Sequence, residues 1–430
     1  MIYHSLNHLS KPVDFERAVL NGIASDRGLY FPSEIKTLPN KIINEIEKLS
    51  INEISYYSIK NFIGKSIPKN ELISIIDETL SFNFPLVKID ENIFSLELFH
   101  GPTLAFKDVG ARFMARSLGY FNRNSNNIIT VLVATSGDTG GAVADGFYNV
   151  PGIRVVILYP KDKVSKIQKQ QMTSLGKNIV TLEVDGVFDD CQEYVKSAFL
   201  DEQIKKSCKL TSANSINVAR WLPQMFYYFS AYKNSKKINR PITFSVPSGN
   251  FGNLCAGLMA KKIGLPIEKF LACTNLNDSV PKYLNSGIYA PNPTIQTISN
   301  AMDVGNPSNF LRIQKIYNND VNKLKKDVLG FSFNDKQTRK TIKEVNEKLK
   351  YILDPHGAIG YMGLKELFKT EEKGIGIFLE TAHPIKFAET IEKTINTKLK
   401  IPKNISSLNE TIDSISITNF DDFKDFLLKN

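Results

Sequence analysis

A chain of 430 residues with 42% hydrophobic and 23% charged residues is long enough for two or three domains, and it needs no disulfide framework to bury its cores. No window approaches a bilayer-spanning apolar run, and the N-terminus lacks a basic segment followed by an apolar one. The net charge of +10 comes from interleaved Lys, Asp and Glu, as in Lys323–Lys350, so it reads mainly as a solvated surface rather than a nucleic-acid face.

In chain order, residues 1 to about 80 read as mostly helical, with helices expected at Lys41–Leu49 and Glu71–Leu80 and a tight turn at Ser25-Asp-Arg-Gly28. Ile93–Leu98 alternates weakly and predicts a strand. An amphipathic helix is expected after Lys107, carrying Val109, Phe113, Met114, Leu118 and Phe121 at helical spacing. The period then changes. Strands are expected at Ile128–Ala134, Arg154–Tyr159 and Asn178–Val184. They alternate with helices at Ala142–Phe147, Ser165–Leu175 and Asp189–Leu200. Ile242–Val246 restarts the pattern ahead of a helix at Asn253–Lys262. Ile375–Leu379 is a late strand followed by a helix over Pro384–Lys393. Such alternation implies parallel strands buried on both faces. The expected fold is α/β, with two doubly wound sheets and a mainly helical N-terminal segment outside them.

Four cysteines at 191, 208, 255 and 273 form no C-x-x-C pair and have no histidine at ligand spacing. Reduced thiols in a cytoplasmic protein, with no metal, fit that spacing.

Three segments carry chemistry. His100-Gly-Pro-Thr-Leu-Ala-Phe-Lys107-Asp108 places a lysine at a helix start among Leu104, Ala105, Phe106 and Val109. Apolar surroundings would lower the lysine pKa and make the amine a usable nucleophile. Asp108 in the first turn suits the helix dipole, a structural role. Ala134-Thr-Ser-Gly-Asp-Thr-Gly-Gly141 and Val246-Pro-Ser-Gly-Asn-Phe-Gly-Asn253 each leave an apolar strand and enter a helix. Free N–H groups at such helix starts, with glycines that permit close approach, attract anions. Neither loop holds G-x-G-x-x-G. Gly64-Lys65-Ser66 lacks the leading glycine of a P-loop, Ile59 standing there, so a nucleotide is disfavoured. A Schiff-base lysine beside two anion cradles is the equipment of a pyridoxal-phosphate enzyme.

Together, His100–Asp108, Thr135–Gly141 and Ser248–Asn253 resemble the threonine synthases, fold-type-II pyridoxal-phosphate enzymes related to tryptophan synthase β. Ser25–Pro32, Met302–Phe310, Asp354-Pro-His-Gly357 and Thr381-Ala-His-Pro384 resemble family segments too, and they point to the longer bacterial and fungal type. The resemblance implies an N-terminal domain over 1–90, a large cofactor-binding domain over 91–127 and 230–430, and a small domain over 128–229 that closes on substrate. Lys107 would carry pyridoxal 5'-phosphate as a Schiff base and shuttle protons. Gly249, Asn250, Phe251, Gly252 and Asn253 would bind the cofactor phosphate, through backbone amides and the two Asn side chains. Thr381 would face the pyridine nitrogen.

On the same resemblance, Thr135, Ser136 and Thr139 would hold a substrate carboxylate. Asn214, Ser215, Asn217 and Arg220 would bind the phosphate of O-phospho-L-homoserine. Related enzymes often carry Asn at the place of Asp138, near the phenolic oxygen. A carboxylate there is electrostatically awkward, so Asp138 either accepts backbone N–H bonds or shares a proton with the cofactor. His383 is expected to support the Thr381 loop, and His356 to lie in a turn. The implied reaction is β,γ-replacement yielding L-threonine, the last step of threonine biosynthesis, in a cytoplasmic monomer or homodimer with neither nucleic-acid nor membrane partners. The alternatives are another fold-type-II lyase, such as a serine/threonine dehydratase, or a non-catalytic phosphate-binding homologue.

Overall fold

Runs of β-branched residues with no polar face cannot form half-solvated strands. Here they form the buried strands of two sheets. A computed structural model describes residues 1–370, 374–406, 408 and 411–429. The larger sheet runs, in spatial order, Val328–Ser332, Lys269–Thr274, Ile242–Pro247, Ile375–Glu380, Ile93–Glu97 and Leu86–Lys88. Every pairing in it is parallel except the last, in which Leu86 faces Leu96. The smaller sheet is all parallel: Ile415–Ile417, Ile179–Val184, Ile153–Pro160, Ile129–Ala134, Lys209–Ser212. Each residue of Ile129–Ala134, Ile242–Pro247 and Ile375–Glu380 is buried.

Two differences from the sequence reading stand out. The N-terminal segment is not only helical. Ile2–Ser5, Val13–Asp14 and Tyr30–Pro32 make a three-stranded antiparallel sheet, against which Phe15–Asn21 packs. These strands are two to four residues long, too short for a period of two to register. Second, the division that assigns all of 230–430 to the larger domain misplaces the C-terminus. Ile415–Ile417 pairs in register with Leu182–Val184 of the smaller sheet, and Phe423 and Leu427 are buried in that sheet's core.

Parallel strands end together, so the loops that follow them meet. The loops after Ile129–Ala134, Lys209–Ser212, Ile242–Pro247 and Ile375–Glu380 all contribute to one cavity. The segment after Ile93–Glu97 brings in Phe106 and Lys107. A short antiparallel bridge between Ala105 and Ala382 fixes that segment. In it Phe106 N–H donates to Thr381 O at 2.9 Å and His383 N–H to Leu104 O at 3.0 Å.

Candidate active site

Lys107 is the first residue of the helix Lys107–Asn122 and lines the cavity. It is partly buried, and its amine makes no hydrogen bond or ion pair among the described residues. Desolvation holds its pKa down, to about 8, opposed by the Asp138 charge and aided by Lys386 and Arg220. Asp108 is fully buried rather than solvent-facing in the first turn. It accepts the Thr103 N–H at 3.0 Å and the Thr103 hydroxyl, and burial pushes it up to about 7.

The loop after Ile242–Pro247 turns on Phe251, whose φ of 60° is left-handed, and enters the helix Gly252–Lys262. The backbone N–H groups of residues 249 to 253 have no hydrogen-bond acceptor among the described residues. Five free donors at a helix start form an anion cradle. A Cβ on Gly249 would lie 2.7 Å from Ala301 O, so only glycine fits there. The two Asn side chains line the cavity and also shape the loop. Asn250 donates to the Ser215 hydroxyl (2.8 Å) and accepts the Ser308 N–H (2.6 Å). Asn253 donates to Pro247 O (2.8 Å) and accepts from the Ser248 hydroxyl and the Leu254 N–H. These bonds shape the cradle and leave its backbone donors to face the cavity.

The second loop behaves alike. The Thr135 hydroxyl oxygen accepts the N–H groups of Gly137 and Gly140, each at 2.9 Å, and this closes the turn. The N–H groups of Ser136, Asp138 and Thr139 remain free among the described residues. Thr135, Ser136 and Thr139 line the cavity.

Asp138 is held by side chains, not by the backbone N–H groups that one sequence alternative expects. It is 3% exposed and pairs with Lys386, Nζ to Oδ1 at 2.8 Å, and it accepts the Gln168 side-chain N–H at 3.0 Å. These two partners with Lys107 hold it ionised, well below the usual carboxylate range despite its burial. No backbone N–H reaches its side chain among the described residues.

The Asn214–Arg220 segment divides. Asn217 does not line the cavity. Its amide caps the helix Val218–Trp221, accepting Ala219 N–H, and donates to Val19 O and Ser212 O. Asn214 latches onto Ala134 through both its amide groups. The Ser215 oxygen accepts from Asn250 and Asn309. Arg220 is the charged member. It is buried and lines the cavity. Nη1 donates to Ala213 O, while Nε has no partner among the described residues. A buried guanidinium with a free donor and no ion pair among the described residues, the Asp108 charge acting only at longer range, has room for an anion.

Thr381 lines the cavity, and its hydroxyl has no hydrogen-bond partner among the described residues. His383 supports this loop as expected, with Nδ1 accepting Ile385 N–H at 3.1 Å. Burial lowers its pKa to about 4. His356 is the second residue of the helix Pro355–Leu367, not a turn residue. It lines the cavity, with Nδ1 against Asp354 and Nε2 accepting Ala301 N–H at 3.3 Å.

Sequence reasoning missed Lys386, Gln168 and Arg312. Nothing in the string separates Lys386 from a surface lysine except its apolar neighbours Ile385, Phe387 and Ala388.

The residues present fit pyridoxal phosphate. An unpaired amine, a cradle of five unpartnered N–H groups and an unpartnered hydroxyl share one cavity of about 190 Å³.

Comparison with known proteins agrees. Residues 82–377 match the pyridoxal-phosphate dependent enzyme family, residues 2–80 the threonine synthase N terminus, and residues 357–423 the threonine synthase C-terminal family. Threonine synthase from Buchnera aphidicola subsp. Acyrthosiphon pisum is 44% identical, covering 100% of this chain and 99% of that protein. The crystal structure of threonine synthase from Escherichia coli superposes with a TM-score of 0.94 at 39% identity, covering all of both chains. A pyridoxal-phosphate-bound threonine synthase from Brucella melitensis gives 0.92 at 33% identity, covering 100% of this chain and 99% of that one. On this sequence, fold and cavity, the chain belongs to the threonine synthase family of pyridoxal-phosphate-dependent enzymes.

Proposed function

We propose that the chain converts O-phospho-L-homoserine and water into L-threonine and phosphate by β,γ-replacement. The observation that carries the substrate is Arg220: a buried guanidinium in the Lys107 cavity whose Nε lacks a protein partner. A dehydratase acting on an unphosphorylated hydroxy amino acid leaves that donor without a partner.

Pyridoxal phosphate supplies an aldehyde for an amine and an electron-withdrawing ring that makes the substrate's Cα–H and Cβ–H acidic. Lys107 would carry it and, once displaced by the substrate amine, move protons at Cα and Cβ. An amine with its pKa brought down to about 8 can both accept and return a proton near neutral pH. The free N–H groups of residues 249–253 would hold the cofactor phosphate, and the Thr381 hydroxyl would meet the ring nitrogen without enforcing its protonation. The free N–H groups of Ser136 and Thr139, with their hydroxyls and that of Thr135, would hold the substrate carboxylate. Arg220 would hold the substrate phosphate on its way to leaving from Cγ. The unit built on residues 128–229 would close over the substrate and exclude water until Cβ is ready for it.

The test is an absorption spectrum of the purified protein with added pyridoxal phosphate, followed by phosphohomoserine. A visible band lost in Lys107→Ala, with phosphate and threonine in equal amounts, supports the reading. A band without phosphate release moves the substrate to another fold-type-II chemistry. No band at any cofactor concentration sinks the enzyme reading altogether.

A further inference from the structure

Lys386 is a lysine with no exposed side-chain surface, and its amine reaches the carbonyl of Thr103, four residues before Lys107. Two features bring it there. The bridge between Ala105 and Ala382 lays the 381–386 segment along the Leu104–Lys107 segment. His383 then caps the short helix Pro384–Phe387, which turns Lys386 inward. Its Nζ donates to Thr103 O at 2.9 Å and pairs with Asp138 Oδ1 at 2.8 Å. Asp138 is completed by the Gln168 amide, which is itself anchored by accepting Ser165 N–H at 3.0 Å.

The charges facing Lys107 are Asp138, Lys386 and Arg220. Asp108 and His383 face Lys386 as well. Asp138 is the anion that acts on the Lys107 amine, and Lys386 and Gln168 occupy it. The buried ion pair is a costly arrangement for stability alone, since an apolar pair of similar size usually does as well. Its placement has a chemical consequence. Without Lys386, Asp138 would be a buried, uncompensated carboxylate whose charge acts on Lys107, and it would bias that lysine further toward the ammonium form. An ammonium ion cannot attack an aldehyde or accept a proton.

We propose that Lys386 is a positioning residue for the reaction: by engaging Asp138 in a buried ion pair anchored on the Thr103 carbonyl, it offsets the Asp138 charge at Lys107 and eases loss of the proton from the Lys107 amine. This rests on the reading of Lys107 as the reactive amine, but it concerns that amine before any substrate is present.

The experiment titrates Lys107 directly in the full-length protein freed of cofactor. Short pulses of acetic anhydride across a pH series, with mass spectrometry of the Lys107 peptide, give the pH midpoint of amine reactivity. Lys386→Met raises the midpoint by about one pH unit or more, because a repelling cation is lost and an anion is released. Lys386→Arg restores it to within about 0.3 unit, since a guanidinium can carry the same pairing. Asp138→Asn moves it the other way, downward, because the Lys386 cation is left unmatched. The Asp138→Asn arm decides by sign even if Lys386→Met does not accumulate as folded protein. An unmoved or lowered midpoint in Lys386→Met, or an unmoved or raised one in Asp138→Asn, overturns the proposal. A chain that proved not to use phosphohomoserine would leave these shifts in place, so the two readings fail separately.

Discussion

Arg312 donates to the carbonyl of Tyr30 from both Nε (3.2 Å) and Nη2 (3.1 Å), tying the N-terminal sheet to the active-site loops. The same fully buried guanidinium donates to Ser215 O, Ile216 O and Asn309 Oδ1, and it stacks 5.1 Å from the Trp221 ring centre. Thr211 and Asn217 donate to Val19 O in the same region. The N-terminal segment therefore buttresses the loop that carries Arg220.

Arg312→Met keeps the volume but leaves these carbonyls without donors in a dry site. The expected loss is about 3 kcal/mol or more, read from urea unfolding. A loss under about 1 kcal/mol would show that water or a local shift replaces those bonds.

Arg220→Ala raises the KM for phosphohomoserine by about 100-fold, a buried charged hydrogen bond being worth about 3 kcal/mol. Arg220→Lys recovers part of that, as a point charge without the fork. An unchanged KM in Arg220→Ala removes the residue from phosphate binding.

The rate at which cofactor-free protein takes up pyridoxal phosphate rises with pH through about 8 and then levels, because only the neutral Lys107 amine attacks and its pKa lies there. The measurement is growth of the visible band after mixing. A midpoint above 10 would mean that burial does not depress this lysine.

Glu380 is fully buried. Oε1 accepts Asp354 N–H at 2.6 Å, and Oε2 has no partner among the described residues, packed where a side chain on Gly357 would collide. Burial and the Asp354 charge raise its pKa well above the ordinary value, which favours the protonated form. A raised carboxyl contributes stability that is fully present below the unfolded value near 4.5 and is lost as pH rises toward the folded one. Glu380→Gln is thus expected to change stability by under about 1 kcal/mol at pH 5 and to gain on the native chain as pH rises. Glu380→Ala strands the Asp354 N–H and costs about 2 kcal/mol. Unfolding curves at pH 5 and 8.5 test this, and a Glu380→Gln penalty that grows with pH would contradict it.

The sequence by itself determined the β-loop-α order, the two anion-cradling loops and Lys107. Each is a local pattern: a buried parallel strand needs an apolar run, a cradle needs glycine and small polar residues, and a helix start leaves N–H groups free within a few residues. The tertiary structure alone decided how those groups are charged and which are free. Asp138 reads as an awkward carboxylate until Lys386, 248 positions later by number, is seen to neutralise it. Asn217 reads as a ligand group until its amide is found bonded to Val19 and Ser212. The fifth strand of the smaller sheet arrives from residues 415–417. Ion pairs, amide bonding and strand pairing depend on separation in space, and that is set by parallel sheets that bring distant loops to one end.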